Sequence, residues 1–221
     1  MPEPFRAAVY YAPECDDPLW HVGCRWLGRD AQTNAELAQP DVAGIMAATS
    51  DPRRYGFHAT LKPPMQLAHG YQRFLSDVEM VASKQISFVM PPLTVVDVLG
   101  FLAICPAAPS AELDALAAGC VCELDVHRVP EDSARQAKRM AGRPDRQIQN
   151  IWQFGYPYVL ADWQFHMTLS NLGDYGLLNA ARQYFATALP VPRSVQSLAV
   201  FIEAVPGSAF ELAARLPLGG S

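Results

Sequence analysis

The chain contains two nearly identical pentapeptides, each built around a histidine and a threonine. They read FHATL at residues 57–61 and FHMTL at residues 165–169. Histidine can accept and donate protons near neutral pH, because its unperturbed pKa is about 6.5. Threonine adds a hydroxyl that can donate a hydrogen bond to a charged oxygen. Two such pairs in a chain of only five histidines indicate a site for acid–base chemistry.

Both pentapeptides have the composition of a strand, in which alternate side chains point to opposite faces. His58 and Thr60 then share one face of the first strand, and His166 and Thr168 share one face of the second. The flanking Phe and Leu residues fall on the other faces, where they can pack against helices. We expect the two polar faces to meet at a cleft, so that two imidazoles and two hydroxyls surround a small volume.

This set of groups suits the chemistry of phosphodiesters. One neutral histidine can take a proton from the attacking oxygen, and the other, protonated, can give one to the leaving oxygen. The threonine hydroxyls can bind the non-bridging phosphate oxygens, where negative charge builds up. The sequence does not decide which histidine is the base and which the acid.

A metal site is the alternative use of two histidines. Zinc or iron would require at least a third ligand. Candidates exist, but none lies at a spacing typical of a metal site, and we therefore expect neither a metal nor another cofactor. These candidates are Asp97, Asp162, His69 and His127.

Length and composition are those of a globular protein with a substantial core. The chain has 221 residues, of which 50% are hydrophobic, and five cysteines without a CxxC pair. No apolar run reaches the roughly 18 residues that a membrane span needs, and the first residues do not resemble a signal peptide. We expect a cytoplasmic protein without membrane contact. The net charge of −5 argues against binding long nucleic acid but allows a small anionic ligand.

The pattern along the chain alternates strands and helices and predicts an α+β protein with two sheet-containing lobes. Asp16 or Asp17 is expected to cap the first helix, and Ser110 a later one. Strands are predicted at 6–12, 57–64, 93–105 (one or two), 164–171, 195–204 and 209–217. Helices are predicted at 16–28, near 41–49, at 71–84, from 110, at 148–154 and from Tyr175 to Ala188.

The paired H-x-T-hydrophobic motifs resemble the signature of the 2H phosphoesterase superfamily. That group includes the RNA 2′,5′-ligase-like proteins and the cyclic nucleotide phosphodiesterases. Nearly the whole chain is also similar to small bacterial proteins encoded beside phosphonate-utilisation genes. The stretches that carry this second likeness are residues 18–30, 51–64, 98–110, 155–159 and 165–170.

The resemblance implies a bilobal α+β sandwich with pseudo-two-fold symmetry, an antiparallel sheet in each lobe and a central groove. It implies one domain over residues 1–221, made of two interleaved lobes that each carry one H-x-T-L strand. The implied activity is hydrolysis or reversible ligation of a phosphodiester. A role in phosphonate metabolism follows from the gene setting alone.

Several other side chains are candidates for contacts with the substrate. By strand alternation Lys62 shares the face of His58 and Thr60, and it could neutralise a phosphate or be only a solvated strand end. The basic segment 128–146 could cover the groove as a flap or be an ordinary solvated helix face. Aromatic residues before the second motif could stack on a base or pack in the core. The remaining candidates are Tyr55, Ser170, Arg139, Arg143, Arg146, Tyr156 and Tyr158.

The sequence thus favours a metal-independent phosphodiesterase that hydrolyses a small cyclic ester of the 2′,3′-cyclic or ribose cyclic phosphate type. Two alternatives stay open: a module that binds a phosphorylated metabolite without turning it over, and an RNA 2′,5′-ligase-like enzyme. The expected partner is a small phosphorylated substrate, with short RNA or a nucleotide as a further option. The sequence does not determine the oligomeric state.

Overall fold

The computed structural model describes residues 3–173 and 176–219. Within these ranges it has nine strands: β1 (Arg6–Tyr11), β2 (Ala59–Met65), β3 (Phe88–Val89), β4 (Leu93–Asp97), β5 (Leu102–Pro106), β6 (Met167–Thr168), β7 (Ser194–Val195), β8 (Ser197–Glu203) and β9 (Phe210–Pro217). The α-helices of the same ranges are α1 (Pro18–Leu27), α2 (Ile45–Ala48), α3 (Ser50–Tyr55), α4 (Tyr71–Ser83), α5 (Ala111–Leu124), α6 (Ser133–Met140), α7 (Asp145–Phe154) and α8 (Leu178–Phe185).

Seven strands form one antiparallel sheet in the order β4-β5-β6-β2-β1-β8-β9. The strands β3 and β7 form a small second sheet. A strand, several helices and a neighbouring strand follow one another twice, as β1–α1–α2–α3–β2 and as β5–α5–α6–α7–β6, on either side of the line between β2 and β6. The predicted α+β class, with antiparallel sheets and approximate two-fold symmetry, is confirmed.

The two strands that carry the histidine motifs are neighbours in the large sheet. Ala59 of β2 lies opposite Met167 of β6 in an antiparallel pair. We expected the polar faces of the two strands to meet across a cleft. They instead lie side by side on one face of a single sheet, because β2 and β6 bond directly to each other.

The apolar side chains of both motifs are buried, as their alternation predicts. Phe57, Ala59 and Leu61 of the first motif and Met167 and Leu169 of the second are each at most 1% exposed. Their burial fixes the register of both strands, since a shift by one residue would exchange the apolar and polar faces. The histidines and threonines are therefore held on the opposite, groove-facing side.

Two helices begin where the sequence predicts a cap. Asp17 accepts a hydrogen bond from the Leu19 N–H at the start of α1, and Ser110 accepts one from the Leu113 N–H at the start of α5. Helix α1 ends at Gly28, whose left-handed conformation (φ 79°) is favoured by the absence of a Cβ.

Three predicted elements differ in extent. The helix predicted near 41–49 is two short helices, α2 and α3. The second motif strand has only two residues, because the N–H groups of Leu169 and Ser170 both bond the Leu102 carbonyl and interrupt the ladder. The helix predicted from Tyr175 to Ala188 is observed as Leu178–Phe185, and Tyr175 itself lies outside the described residues.

None of the helices formed by residues 3–173 and 176–219 is long and apolar enough to cross a membrane.

Candidate active site

The pairing of β2 with β6 sets the arrangement of the four motif side chains. Because Ala59 lies opposite Met167 in an antiparallel pair, Thr60 lies across from His166, and His58 lies across from Thr168. Directly opposite residues have Cβ atoms about 5 Å apart. Each histidine therefore has one threonine two positions along its own strand and the other across the strand pair.

Both imidazole rings are held by the same hydrogen bond. The Nδ1 of His58 lies 2.9 Å from the Gly56 carbonyl, and the Nδ1 of His166 lies 2.8 Å from the Gln164 carbonyl. A carbonyl can only accept, so Nδ1 carries the proton in each neutral ring and Nε2 has a free lone pair. In both motifs Nε2 is thus the nitrogen that can exchange a proton with a substrate.

His58 is the more enclosed of the two histidines. Its ring stacks on Tyr10 with 3.7 Å between centroids, and its Nε2 lies 3.3 Å from the Thr60 Oγ1. Burial lowers the pKa of His58 to about 4; the bond to Gly56 opposes this shift and the nearby His166 adds to it. His58 is therefore neutral at pH 7 and can accept a proton.

His166 has a different environment. The edge of its ring meets Phe101, with 5.7 Å between centroids. Burial also lowers the pKa of His166, and the hydrogen bond to Gln164 opposes the shift. A bound phosphate would raise the pKa of both histidines, because an adjacent negative charge favours the imidazolium form.

Two adjoining cavities receive the histidines. His58, Thr60 and Thr168 line a groove of about 470 Å³. His166 lines a neighbouring cavity of about 370 Å³ together with Trp163 and other aromatic side chains. The two cavities share four lining residues and therefore adjoin each other. The shared residues are Thr60, Pro63, Phe101 and Tyr156.

The predicted aromatic and hydroxyl candidates lie near these cavities. Tyr55 lines the groove and stacks on Phe210, and Tyr156 borders both cavities. Tyr158 lies in the cavity of His166 and is 47% exposed. The Ser170 hydroxyl accepts a bond from the Leu102 N–H and donates one to the Asn171 carbonyl, so its donor is already used.

Lys62 does not lie on the histidine face, and this prediction was wrong. The register between β1 and β2 shifts between Tyr10, opposite Thr60, and Val9, opposite Lys62, so the strict alternation ends at a bulge. Lys62 is 1% exposed, and its ammonium bonds Asp125 at 2.6 Å and the Val121 carbonyl.

The basic segment folds into α6 and the start of α7, and its arginines differ in position. Arg139 lines the groove and bonds Glu131 and the Gly155 carbonyl. Arg143 lies against Tyr158, bonding its hydroxyl at 3.2 Å. Arg146 forms a two-bond pair with Asp162 at 2.6 and 2.7 Å, so its charge is already compensated.

Sequence reasoning missed Tyr10, Arg6 and Phe101. Tyr10 and Arg6 are four positions apart on β1, so they lie on the same face of the strand, and this face also holds Thr60. A tyrosine in an apolar strand gives no sign of contacting a histidine 48 positions later. Only the pairing of β1 with β2 reveals this contact.

Three of the four residues considered as further metal ligands have hydrogen-bond partners of their own. Asp162 pairs with Arg146, Asp97 accepts a bond from the Gly100 N–H, and the buried His127 bonds Asp77. In the part of the chain that the structure describes, no three or more His, Cys, Asp or Glu side chains form a group that could hold a metal ion.

The two H-x-T motifs thus stand side by side on adjacent, antiparallel strands of the large sheet, and they define the candidate site. The chain belongs to the family described as "Protein of unknown function (DUF1045)", whose sequence model matches residues 60–211. It is 34% identical, over 97% of its length, to a ribose 1,5-bisphosphate phosphokinase PhnN of Janthinobacterium sp. (strain Marseille). It is 33% identical, over 94% of its length, to the protein of the same name in Laribacter hongkongensis (strain HLHK9).

The chain spans about half the length of these two curated relatives, 51% and 50% respectively. Among solved structures it is similar to Escherichia coli LigT complexed with 3′-AMP, with a TM-score of 0.46, 12% identity and coverage of 98% and 99% of the two chains. A structure described as a phosphoesterase gives a TM-score of 0.42 at 12% identity and 99% coverage of both chains.

Proposed function

We propose that this chain is a phosphodiesterase that hydrolyses a small cyclic phosphate ester by acid–base catalysis with His58 and His166. The observation that carries the proposal is the matched geometry of the two imidazoles. Each donates its Nδ1 proton to a backbone carbonyl two residues earlier, which leaves the Nε2 lone pair directed to one of two adjoining cavities; the Nε2 of His58 also lies 3.3 Å from the Thr60 hydroxyl. Neither role in the scheme requires a metal ion.

In the proposed reaction a water oxygen attacks phosphorus and one ester P–O bond breaks. One Nε2 takes the proton of the attacking water, and the other Nε2–H gives a proton to the leaving alkoxide. A cyclic diester and water thus become one phosphate monoester that bears the released hydroxyl. Thr60 and Thr168 would donate hydrogen bonds to the non-bridging oxygens, where charge builds up in the transition state.

The environments of the two rings support an assignment of roles. His58, with its pKa lowered to about 4, is neutral over the physiological range and suits the general base. His166, next to the aromatic cavity, suits the general acid once the bound phosphate raises its pKa.

A small substrate fits the groove better than a long polymer. The chain has a net charge of −5, whereas binding to extended RNA depends on many cationic phosphate contacts. The two curated relatives are named for a kinase of ribose 1,5-bisphosphate, which supports a ribose phosphate as the substrate class and a role in phosphonate metabolism. Trp163 and Tyr158, in the cavity of His166, offer faces for the rest of the ligand.

The test is turnover by purified protein pretreated with EDTA on 2′,3′-cyclic nucleotides and ribose cyclic phosphates, followed by phosphorus NMR. We expect ring opening to a monoester in the wild type and in His21→Ala, since His21 is exposed on α1. His58→Ala and His166→Ala should each lose 10²-fold or more of kcat, roughly the contribution of one general acid or base. Wild-type turnover in either variant would contradict the mechanism, and tight binding without turnover would favour the binding module.

A further inference from the structure

A third cavity adjoins the histidine groove on the side of the basic segment. It measures about 390 Å³ and shares Arg6, Pro63, Pro64, Arg139 and Tyr156 with the groove. The remaining wall comes largely from the loop before α6 and from α6 itself. The cavity thus lies directly beside the histidine groove, with these five residues at their border.

Arg6, which lines this cavity, shares one carboxylate with Arg54, which lies outside the lining. Glu203 is fully buried, and it bonds Arg6 at 2.5 Å and Arg54 at 2.6 Å. Burial opposes ionisation of Glu203, but the bonds from Arg6, the Gly207 N–H and Arg54 outweigh it and lower its pKa. The carboxylate is thus charged, and the group Arg6–Arg54–Glu203 keeps one positive charge without a counterion.

The same arrangement occurs at the base of the cavity. Asp125 bonds Lys62 at 2.6 Å and Arg128 at 2.9 Å. Burial opposes ionisation of Asp125, yet these two cations outweigh it and lower its pKa. The group Lys62–Arg128–Asp125 therefore also keeps one positive charge, while Lys62 is almost fully removed from water.

The acidic residues that line the cavity do not cancel this excess. Glu131 pairs with Arg139, and Asp132 lies 3.3 Å from Arg135, so these pairs are neutral. Among the described residues, these two groups together carry two uncompensated positive charges, although the net charge of the chain is −5. Three of their four cations, Arg6, Lys62 and Arg128, line the cavity. Arg6 uses only Nε toward Glu203, and no residue within 3–173 and 176–219 accepts a bond from its terminal nitrogens.

We propose that this cavity binds a second anionic group of the substrate, a phosphate remote from the ester that reacts at the histidines. This proposal rests on the proposed function, and it narrows the substrate class to a phosphorylated sugar that carries a cyclic phosphate. The free terminal nitrogens of Arg6 would donate to the second phosphate, with Arg139 beside them. The two excess charges match the charge of a phosphate dianion.

The test compares, by calorimetry, binding of ribose 1,5-bisphosphate with binding of ribose 1-phosphate, which lacks the phosphate remote from C1. We expect the wild type to bind the bisphosphate at least about 10-fold more tightly, since charge-assisted hydrogen bonds are the strongest kind. Arg6→Gln and Arg139→Gln should each reduce that ratio severalfold. Arg73→Gln removes an exposed arginine of α4 outside the three cavities and should leave the ratio unchanged.

Equal affinity of the wild type for the two probes would overturn the proposal. So would an equal fall of the affinity ratio in the Arg6→Gln and Arg73→Gln variants. If Arg6→Gln fails to fold because Glu203 loses a partner, the affinity ratio of the two probes in Arg139→Gln becomes the test of the proposal. A retained preference for the bisphosphate without turnover of any cyclic ester would contradict the proposed catalysis and leave the second anion site standing.

Discussion

The two histidine motifs are nearly identical in sequence but lie in different surroundings. His58 precedes the seven-residue strand β2, which is bordered by β1, and its ring is covered by Tyr10 at 3.7 Å. His166 precedes the two-residue strand β6 and opens toward the aromatic cavity, with only an edge contact to Phe101. Each ring is oriented by its own hydrogen bond of the same local kind. The difference in proton affinity between the two histidines therefore comes from the neighbouring strands.

Under the proposed mechanism the two copies of the motif serve two different roles. The bond from Nδ1 to the carbonyl of residue i−2, which directly precedes each pentapeptide, is local and fixes the tautomer and the direction of Nε2. The pKa is fixed by burial, which depends on residues far away in sequence. A base and an acid can therefore share one motif while differing in their sheet neighbours.

The largest expected effect is on the pH dependence of kcat/KM. As the base, His58 must be neutral, so activity should fall below about pH 4. As the acid, His166 must be protonated, and since its pKa is lowered, activity should fall on a second limb that begins below pH 6.5. His58→Asn should lower kcat/KM by about 10²- to 10⁴-fold and remove the acidic limb of the profile. His166→Asn should lower kcat/KM by a similar factor and remove the basic limb.

The control for these profiles is His69→Asn, since His69 is exposed and lies outside the two histidine cavities. If His58→Asn loses the basic limb and His166→Asn loses the acidic limb, the roles of the two histidines are exchanged. If both limbs survive in both Asn variants, the two rings are not the acid–base pair.

A second prediction concerns helix α1, which supports both motifs in different ways. A Cβ at Gly23 would lie 2.3 Å from the Phe57 ring, and the Trp26 indole donates a 2.9 Å bond to the Leu169 carbonyl. Gly23→Ala should lower the free energy of unfolding by about 2 kcal/mol through overpacking. Trp26→Phe should lower it by roughly 1–2 kcal/mol, because a buried carbonyl loses its partner.

Urea denaturation of both variants measures these changes. Gly119→Ala on α5 is the matched control, because a Cβ there meets only Gln85 at 3.6 Å and alanine favours the helix. The control should be neutral or slightly more stable than the wild type. Gly23→Ala as stable as the control would mean that the Phe57 ring can move aside, and that the first motif is held less tightly than its burial indicates.

The strand and helix pattern was largely predictable because it depends on local signals. The alternation in FHATL and FHMTL predicted which side chains are buried, and Asp17 and Ser110 predicted two helix starts. The position of Lys62 was not predictable, because a bulge between β1 and β2 depends on a partner strand about 50 residues away. The same holds for Tyr10 and Arg6, whose roles arise only from strand pairing.

The smallest expected effect isolates the contribution of Tyr10 to the difference between the two histidines. Tyr10 shields one face of the His58 ring, and burial is the main cause of its lowered pKa. Tyr10→Ala should admit water to that face and raise the His58 pKa by roughly one unit, equivalent to ~1.4 kcal/mol. Phe101→Ala, which removes the ring that contacts His166, should leave the pKa of His58 unchanged. Proton–nitrogen NMR titration reads both imidazoles in each variant, and a His58 pKa that stays near 4 in Tyr10→Ala would show that the stacked tyrosine does not set the difference.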